Sequence, residues 1–330
     1  MDANLQKSKW RDGPAKNFRL PTRMSKPQPS LLSRYQGSLL GLAIGDALGA
    51  PIEFCPPGRF PPITGFSGGG KFKTAPGEWT DDTAMALCLG ESLLRCGGFD
   101  IMDQATTYSR WITEGHNSTR PHAFGVGRTV LAGLSRFQRS GDPRSGATDR
   151  NAQGNGSLMR LAPVPLAFRN DPTRAVMLAG ESSVVTHGSD ACIDGCKALC
   201  ACILLALRGS PVSEIVAIDA VTALTGPLCP EITAVFADLW TVEPVAQGNA
   251  PRSLHAALWA FAHHPDFSSG ALAVVNLGDD ADTVGAIYGQ IAGAHYALDG
   301  IPSQWVDGVF KTAEIRAMAG QLFELASREG

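Results

Sequence analysis

The chain has 330 residues, 44% of them apolar and only 18% charged, a length and composition that suit one large buried core and exclude a disordered or low-complexity protein. Its longest apolar run, Ala198 to Leu207, is ten residues. That is far short of the roughly 20 needed to cross a bilayer, so no membrane span is expected. The first 30 residues hold no apolar stretch of the secretory kind, and a cytoplasmic location is expected. The net charge of −3 is unevenly placed: seven basic and two acidic side chains give residues 1–30 a charge of +5, leaving −8 on the rest. An acidic body is not that of a nucleic-acid binder, and a basic arm on it suits an acidic partner or the body itself.

Residues 1–33 contain Pro14, Pro21, Pro27 and Pro29 and little periodicity, and are expected to be an irregular extension preceding a body at 34–330. Trp10, Phe18, Leu20 and Met24 lie among its basic groups, which suits reaching into a partner; a solvated tail is the other reading. Apolar periodicity then predicts helices over 34–50, 81–96, 101–115, 172–186, 190–208, 212–222, 230–240, 252–264, 268–276, 282–298 and 305–326. Strand signals are weak and do not alternate with helices, so the fold class expected is all-α, a compact single-domain helical bundle. Polar, glycine-rich stretches at 56–78, 140–156 and 245–251 are expected to be loops.

Two helices carry glycine stripes: Gly37, Gly41, Gly45 and Gly49 in the first, and Gly285, Gly289 and Gly293 between Ala281 and Ala297 in the late one. Glycine in a helix interior costs about 1 kcal/mol relative to alanine. A stripe of it predicts a close approach by another helix, and the two striped helices are expected in the core, against each other. Cys192, Cys196 and Cys200 recur along one face of the 190–208 helix; with no histidine beside them they read as small buried residues rather than a metal site.

Two acidic clusters stand out. Trp79-Thr80-Asp81-Asp82-Thr83 opens one apolar helix, and Asp279-Asp280-Ala281-Asp282-Thr283 opens the late one. Each alone describes ordinary N-terminal capping. Together they offer more carboxylates and hydroxyls than two caps use. Such hard oxygen donors suit Mg²⁺, Mn²⁺ or Ca²⁺ rather than zinc. Glu53 ends the first helix, where the dipole disfavours an acid; an accident of the surface and a functional role both fit. Asn155-Gly156-Ser157 could offer backbone N–H groups to a phosphate or simply join a loop to a helix. His187, after an apolar helix, reads alone as a core or capping histidine.

In this order along the chain, several blocks resemble the ADP-ribosylglycohydrolases: Gly45-Asp46-Ala47-Leu48-Gly49-Ala50-Pro51-Ile52-Glu53, Trp79 to Thr83, Gly154-Asn155-Gly156-Ser157-Leu158-Met159-Arg160, Thr186-His187, and Asn276 to Thr283. The last block is most similar to the bacterial branch that includes dinitrogenase reductase-activating glycohydrolase. The resemblance implies an all-α fold with two Mg²⁺ or Mn²⁺ ions in a cleft. It implies Thr80, Asp81, Asp82, Asp280, Asp282 and Thr283 as metal ligands and Asn155, Gly156 and Ser157 around a diphosphate, with His187 near the ADP-ribose. Glu53, Asp81 and Asp282 become the candidate catalytic residues, Glu53 as base. Phe124-Gly125-Val126-Gly127 departs from the branch's Phe-Asp-Ile-Gly; Gly125 supplies no carboxylate, which adds weight to Glu53.

The activity this implies is hydrolysis of the bond between ADP-ribose and a protein side chain, the arginine N-glycosidic linkage first. Some immunity proteins against ADP-ribosylating toxins resemble this family and carry a basic arm. The alternative is therefore an inhibitor that blocks such a toxin through residues 1–33, with or without hydrolysis.

Overall fold

The structure, a computed structural model, describes residues 28–328. Its elements in chain order are α1 (Leu31–Gly49), α2 (Asp81–Cys96), α3 (Ile101–Glu114), α4 (Arg128–Ser140), α5 (Pro163–Ala167), α6 (Pro172–Ser183), α7 (Asp190–Leu207), α8 (Val212–Ile215), α9 (Ile218–Thr225), α10 (Pro230–Asp238), α11 (Ala250–His263), α12 (Phe267–Val275), α13 (Ala281–Tyr296), α14 (Ser303–Gly308) and α15 (Thr312–Arg328). No strand occurs among the described residues, only isolated bridges at Gly69–Thr74 and Ala147–His187. The all-α expectation holds, and no helix is long and apolar enough to cross a membrane among the described residues.

The glycine stripes explain the centre. Helices α1 and α13 lie antiparallel with their backbones in contact, Gly37 facing Gly293, Gly41 facing Gly289 and Gly45 facing Gly285. A Cβ on Gly41 would overlap the carbonyl of Gly289 and come within 3.0 Å of its carbon. No side chain fits between the helices, which is why glycine stands there despite its helix penalty. Around this pair pack α7, α11 and α12 on the α13 side and α15 on the α1 side. Arg34, buried, donates from Nη1 to the carbonyls of Ala206, Ala294 and His295, satisfying the otherwise orphaned ends of α7 and α13. Gln290 donates to the carbonyls of Leu158 and Met159, tying the 155–160 turn to α13.

Several boundaries differ from the sequence reading. Helix α1 begins at Leu31 rather than at 34, because Ser30 accepts from Ser33 N and caps it. Trp10, Phe18, Leu20 and Met24 lie outside the described residues. Helix α4 was not anticipated, the 212–222 helix divides into α8 and α9, and the 305–326 helix breaks before Thr312, where Lys311 takes φ 58°. Cys192, Cys196 and Cys200 are free, buried thiols, as expected of core residues.

Candidate active site

Because α1 and α13 are antiparallel, the C-terminal end of α1 lies against the N-terminal end of α13: a Cβ on Gly49 would meet Asp282 N and Ala281 C. The N-terminus of α2 reaches the same place through Asp46. This α1 residue accepts from Thr80 N at 2.9 Å, Thr80 Oγ1 at 3.0 Å, Thr83 N at 3.1 Å and Thr83 Oγ1 at 2.7 Å. Asp46 is thus the cap of α2, supplied from another helix, and it fixes the first acidic cluster against α1. Sequence reading quoted Asp46 but gave it no role. The signal was available: a lone acid amid apolar and glycine residues of a buried helix needs partners.

The two aspartate clusters, 200 residues apart in sequence, meet here. Carboxylate oxygens of Asp46, Asp82 and Asp282 lie within 4.8 Å of one another, as do those of Glu53, Asp280 and Asp282, so Asp282 belongs to both triads. Thr80 Oγ1 donates to Asp82 Oδ2, and Thr283 lines the cleft. Glu53 Oε2 and Asp82 Oδ1 are buried with no hydrogen-bond partner. Asp81 belongs to neither triad but faces the same cleft.

Burial and mutual repulsion perturb every one of these acids. Burial first, then the charge of Asp81, pushes Glu53 up to about 9. Asp81 and Asp82 are driven well above the carboxylate range by burial and then by Asp46, and Asp282 by burial and then by Glu53. Asp280 is raised by burial while Asn155 pulls it back, and Asp46 rises to about 6 through burial despite its threonine donors. A protein leaves buried carboxylates unpaired at high cost. The arrangement could hold cations with hard-oxygen preference, and the two unpartnered oxygens fit such ions.

The second wall of the cleft comes from Gly154, Asn155, Gly156 and His187. Asn155 Nδ2 donates to Asp280 Oδ2 at 2.6 Å and to Ser253 Oγ at 2.8 Å, so its side chain orients an acid rather than facing the cleft freely. Ser157 is buried beneath, its Oγ accepting from Ser183. His187 is buried and held down to about 3 by burial and then by Arg160. Arg160 donates to Thr186 Oγ1, which pairs with His187 Nδ1 at 2.8 Å, while Nε2 lies on the side of Gly154 and Gly156. Both glycines lie against this ring, and a Cβ at either would come within 2.9 Å of it.

Gly125 adopts φ 77° directly against Asp81; a Cβ there would overlap Asp81 Oδ1 and lie 3.2 Å from Cγ. An acid at this position would need Asp81 to move. The loop carrying Glu53 is pinned to the second cluster by Phe54 N to Asp279 O at 2.6 Å and Asp279 N to Cys55 O at 2.7 Å. Together these residues enclose a cleft of about 820 Å³. The rim also includes stretches that carry no signal in the sequence, Lys71-Phe72, Arg128 to Val130 and Ala246-Gln247-Gly248, the last joined through the carbonyl of Ala246 to Asp280 N at 3.0 Å.

The sequence model of the ADP-ribosylglycohydrolase family matches residues 27–330. An ADP-ribosylarginine hydrolase Tri1 of Pseudomonas putida is 38% identical over 299 residues, covering 89% of this chain and 79% of its own. The ADP-ribosyl-[dinitrogen reductase] glycohydrolase of Rhodospirillum rubrum is 32% identical over 313 residues, covering 90% and 98%. A solved structure described as an ADP-ribosylglycohydrolase-related protein complex superposes with a TM-score of 0.81 at 41% identity, over 90% of this chain and 99% of that one. With its glycine-locked helix pair and converging aspartate clusters, the chain belongs to the ADP-ribosylglycohydrolase family.

Proposed function

We propose that this protein hydrolyses the N-glycosidic bond between ADP-ribose and an arginine side chain of a modified protein, reversing ADP-ribosylation. The observation that carries the reading is the meeting of Glu53 with both aspartate clusters at the end of α1 and α13, beside a wall of small residues and a neutral histidine. The relatives named as arginine hydrolases support the linkage.

Asp82, Asp280 and Asp282, with Thr80, Thr283 and Asp81, would hold two divalent cations, Mg²⁺ or Mn²⁺. When bound, these would supply positive charge that stabilises nearby oxygens of the substrate. The chain's own groups do the rest. Glu53 Oε2, free of partners, accepts a proton from the water that attacks the anomeric carbon. The new C–O bond forms as the C–N bond breaks, through an oxocarbenium-like transition state, and the guanidine nitrogen departs with its electron pair and takes up the proton that Glu53 removed from the water. Backbone at Gly154 to Gly156 and the ring of His187 line the cleft and would face the diphosphate. Asn155 keeps Asp280 in place. Incubating the protein with Mg²⁺ and an arginine-ADP-ribosylated protein should release free ADP-ribose, and a serine-linked conjugate should survive; the reverse preference would reject the linkage.

A second partner is proposed from the charge of +5 on residues 1–30 and the aromatic and apolar side chains among them. An ADP-ribosylating toxin, engaged by this arm without chemistry, would give the protein two separable activities in the cytoplasm.

A further inference from the structure

The lining of the cleft has two chemistries. Opposite the small and polar wall, beginning at the residue after Glu53, stand aromatic rings and a cation. Phe54 is 55% exposed at the mouth of the cleft. Its backbone takes φ 65°, a left-handed conformation that a residue with a Cβ rarely adopts. Asp279, whose carbonyl accepts from Phe54 N and whose N–H donates to Cys55 O, takes φ 49°. Paired strain of this kind persists only where the surrounding structure enforces it, and it concentrates at functional sites.

Phe54 does not stand alone. Phe72 meets it edge-on with centroids 6.3 Å apart, and Phe124 meets Phe72 at 5.8 Å. Arg120 holds this wall: it donates to Phe72 O, lies over Phe124 at 4.2 Å and pairs with buried Glu78. The exposed Lys71 places its ammonium 4.3 Å from the centre of the Phe54 ring. The face of Phe54 therefore already accommodates a cation, one carried on a flexible stem that can leave. Neither the acidic clusters nor the diphosphate wall uses these rings.

We propose that Phe54, backed by Phe72, forms the subsite for the leaving arginine, its ring stacking on the substrate guanidinium while Lys71 turns outward. This rests on the arginine-linked reading given above. The scissile bond must lie beside Glu53, so the guanidinium on its far side falls to the next residue along that loop. An N-ribosylated guanidinium is planar, delocalised and weakly hydrated, a good partner for an aromatic face. Recognition by a ring leaves the cleft carboxylates to their other work, whereas recognition by a carboxylate would remove one from it. A linkage to serine brings no cation and gains nothing from this wall, so Phe54 also discriminates between linkages.

The test compares Phe54→Leu and Phe54→Tyr with the wild type in saturating Mg²⁺. It measures KM and kcat on an arginine-ADP-ribosylated protein and, by calorimetry, the affinity for free ADP-ribose, which lacks the guanidinium. Phe54→Leu should raise KM about tenfold with kcat little changed, since the stacking is present in ground and transition states alike. Its affinity for ADP-ribose should stay at the wild-type value, and Phe54→Tyr, which keeps the ring, should restore KM. An unchanged KM in Phe54→Leu would overturn the inference, as would an equal loss of ADP-ribose affinity. A wild-type protein that releases nothing from the arginine conjugate would reject the arginine-linked reading itself, and this inference with it. With wild-type turnover intact, the outcome for Phe54→Leu bears on this subsite alone.

Discussion

Replacing Gly289 by alanine should unfold the logic of the core. In an ordinary helix interior this change gains about 1 kcal/mol. Here the added methyl would overlap the carbonyl of Gly41 and come within 2.8 Å of Leu42 N. The obstacle is backbone, so no rotamer change relieves it; α1 and α13 must separate, and the neighbouring contacts at Gly37–Gly293 and Gly45–Gly285 loosen with them. Overpacking costs about 1–3 kcal/mol and more when backbone must move. Set against the gain in helix propensity, a net loss of about 2 kcal/mol or more is expected. Gly320, inside α15, is the internal control, since a Cβ there meets nothing within 4 Å. Gly320→Ala should stabilise by up to about 1 kcal/mol. Urea unfolding followed by far-ultraviolet circular dichroism reads both: the midpoint should fall for Gly289→Ala and rise for Gly320→Ala. A Gly289→Ala protein as stable as the wild type would refute the claim that backbone contact between α1 and α13 sets the position of Asp46 and Asp282.

Glu53→Gln keeps the shape of the side chain and removes the base; turnover should drop roughly 10²–10⁴-fold while ADP-ribose still binds, and near-normal turnover would shift the role to another group, Asp279 being next in line. In chelator, the protein should lose stability as pH rises. Glu53 moves from 4.5 in the unfolded chain to about 9 in the fold, so its contribution is fully present below 4.5 and is lost towards 9. His187, held down to about 3, acts in the opposite sense only below 6.5. Melting temperatures between about pH 7 and 8 should therefore fall with pH, and Mg²⁺ should flatten the slope; a rise with pH in chelator would contradict the charge assignment. Deleting residues 1–26 spares Ser30 and the whole of α1, so hydrolysis should survive while binding to an ADP-ribosylating toxin weakens and becomes harder still in salt. Equal binding by the truncated chain would remove the arm from the interface.

Much of this site was legible because its parts have local signatures. The glycine stripes announced a close helix pair, and each acidic cluster marked a helix start that the fold confirms at Asp81 and Ala281. What escaped depends on contacts distant in sequence. Asp46 reads as an odd acid until Thr80 and Thr83, 34 and 37 residues away, arrive as its donors. Asn155 shows no tie to the second cluster until Asp280, 125 residues on, accepts from its side-chain amide. Gly133 of α4, too, answers to a distant residue: it faces Thr186, whose Cα would lie 2.9 Å from a Cβ. The break before α15 follows from Trp79 Nε1 bonding Phe310 O, a tertiary contact that no periodicity predicts.

The most direct measurement of the central claim is release of free ADP-ribose from an arginine-ADP-ribosylated protein, followed by chromatography for the wild type and Asp282→Asn side by side in Mg²⁺. Asp282 is the residue shared by both carboxylate triads. The wild type should release ADP-ribose and leave unmodified arginine, and Asp282→Asn should be inactive with its helical spectrum intact. Equal release by the two proteins, or none by the wild type, would contradict the assignment of hydrolysis to this cleft.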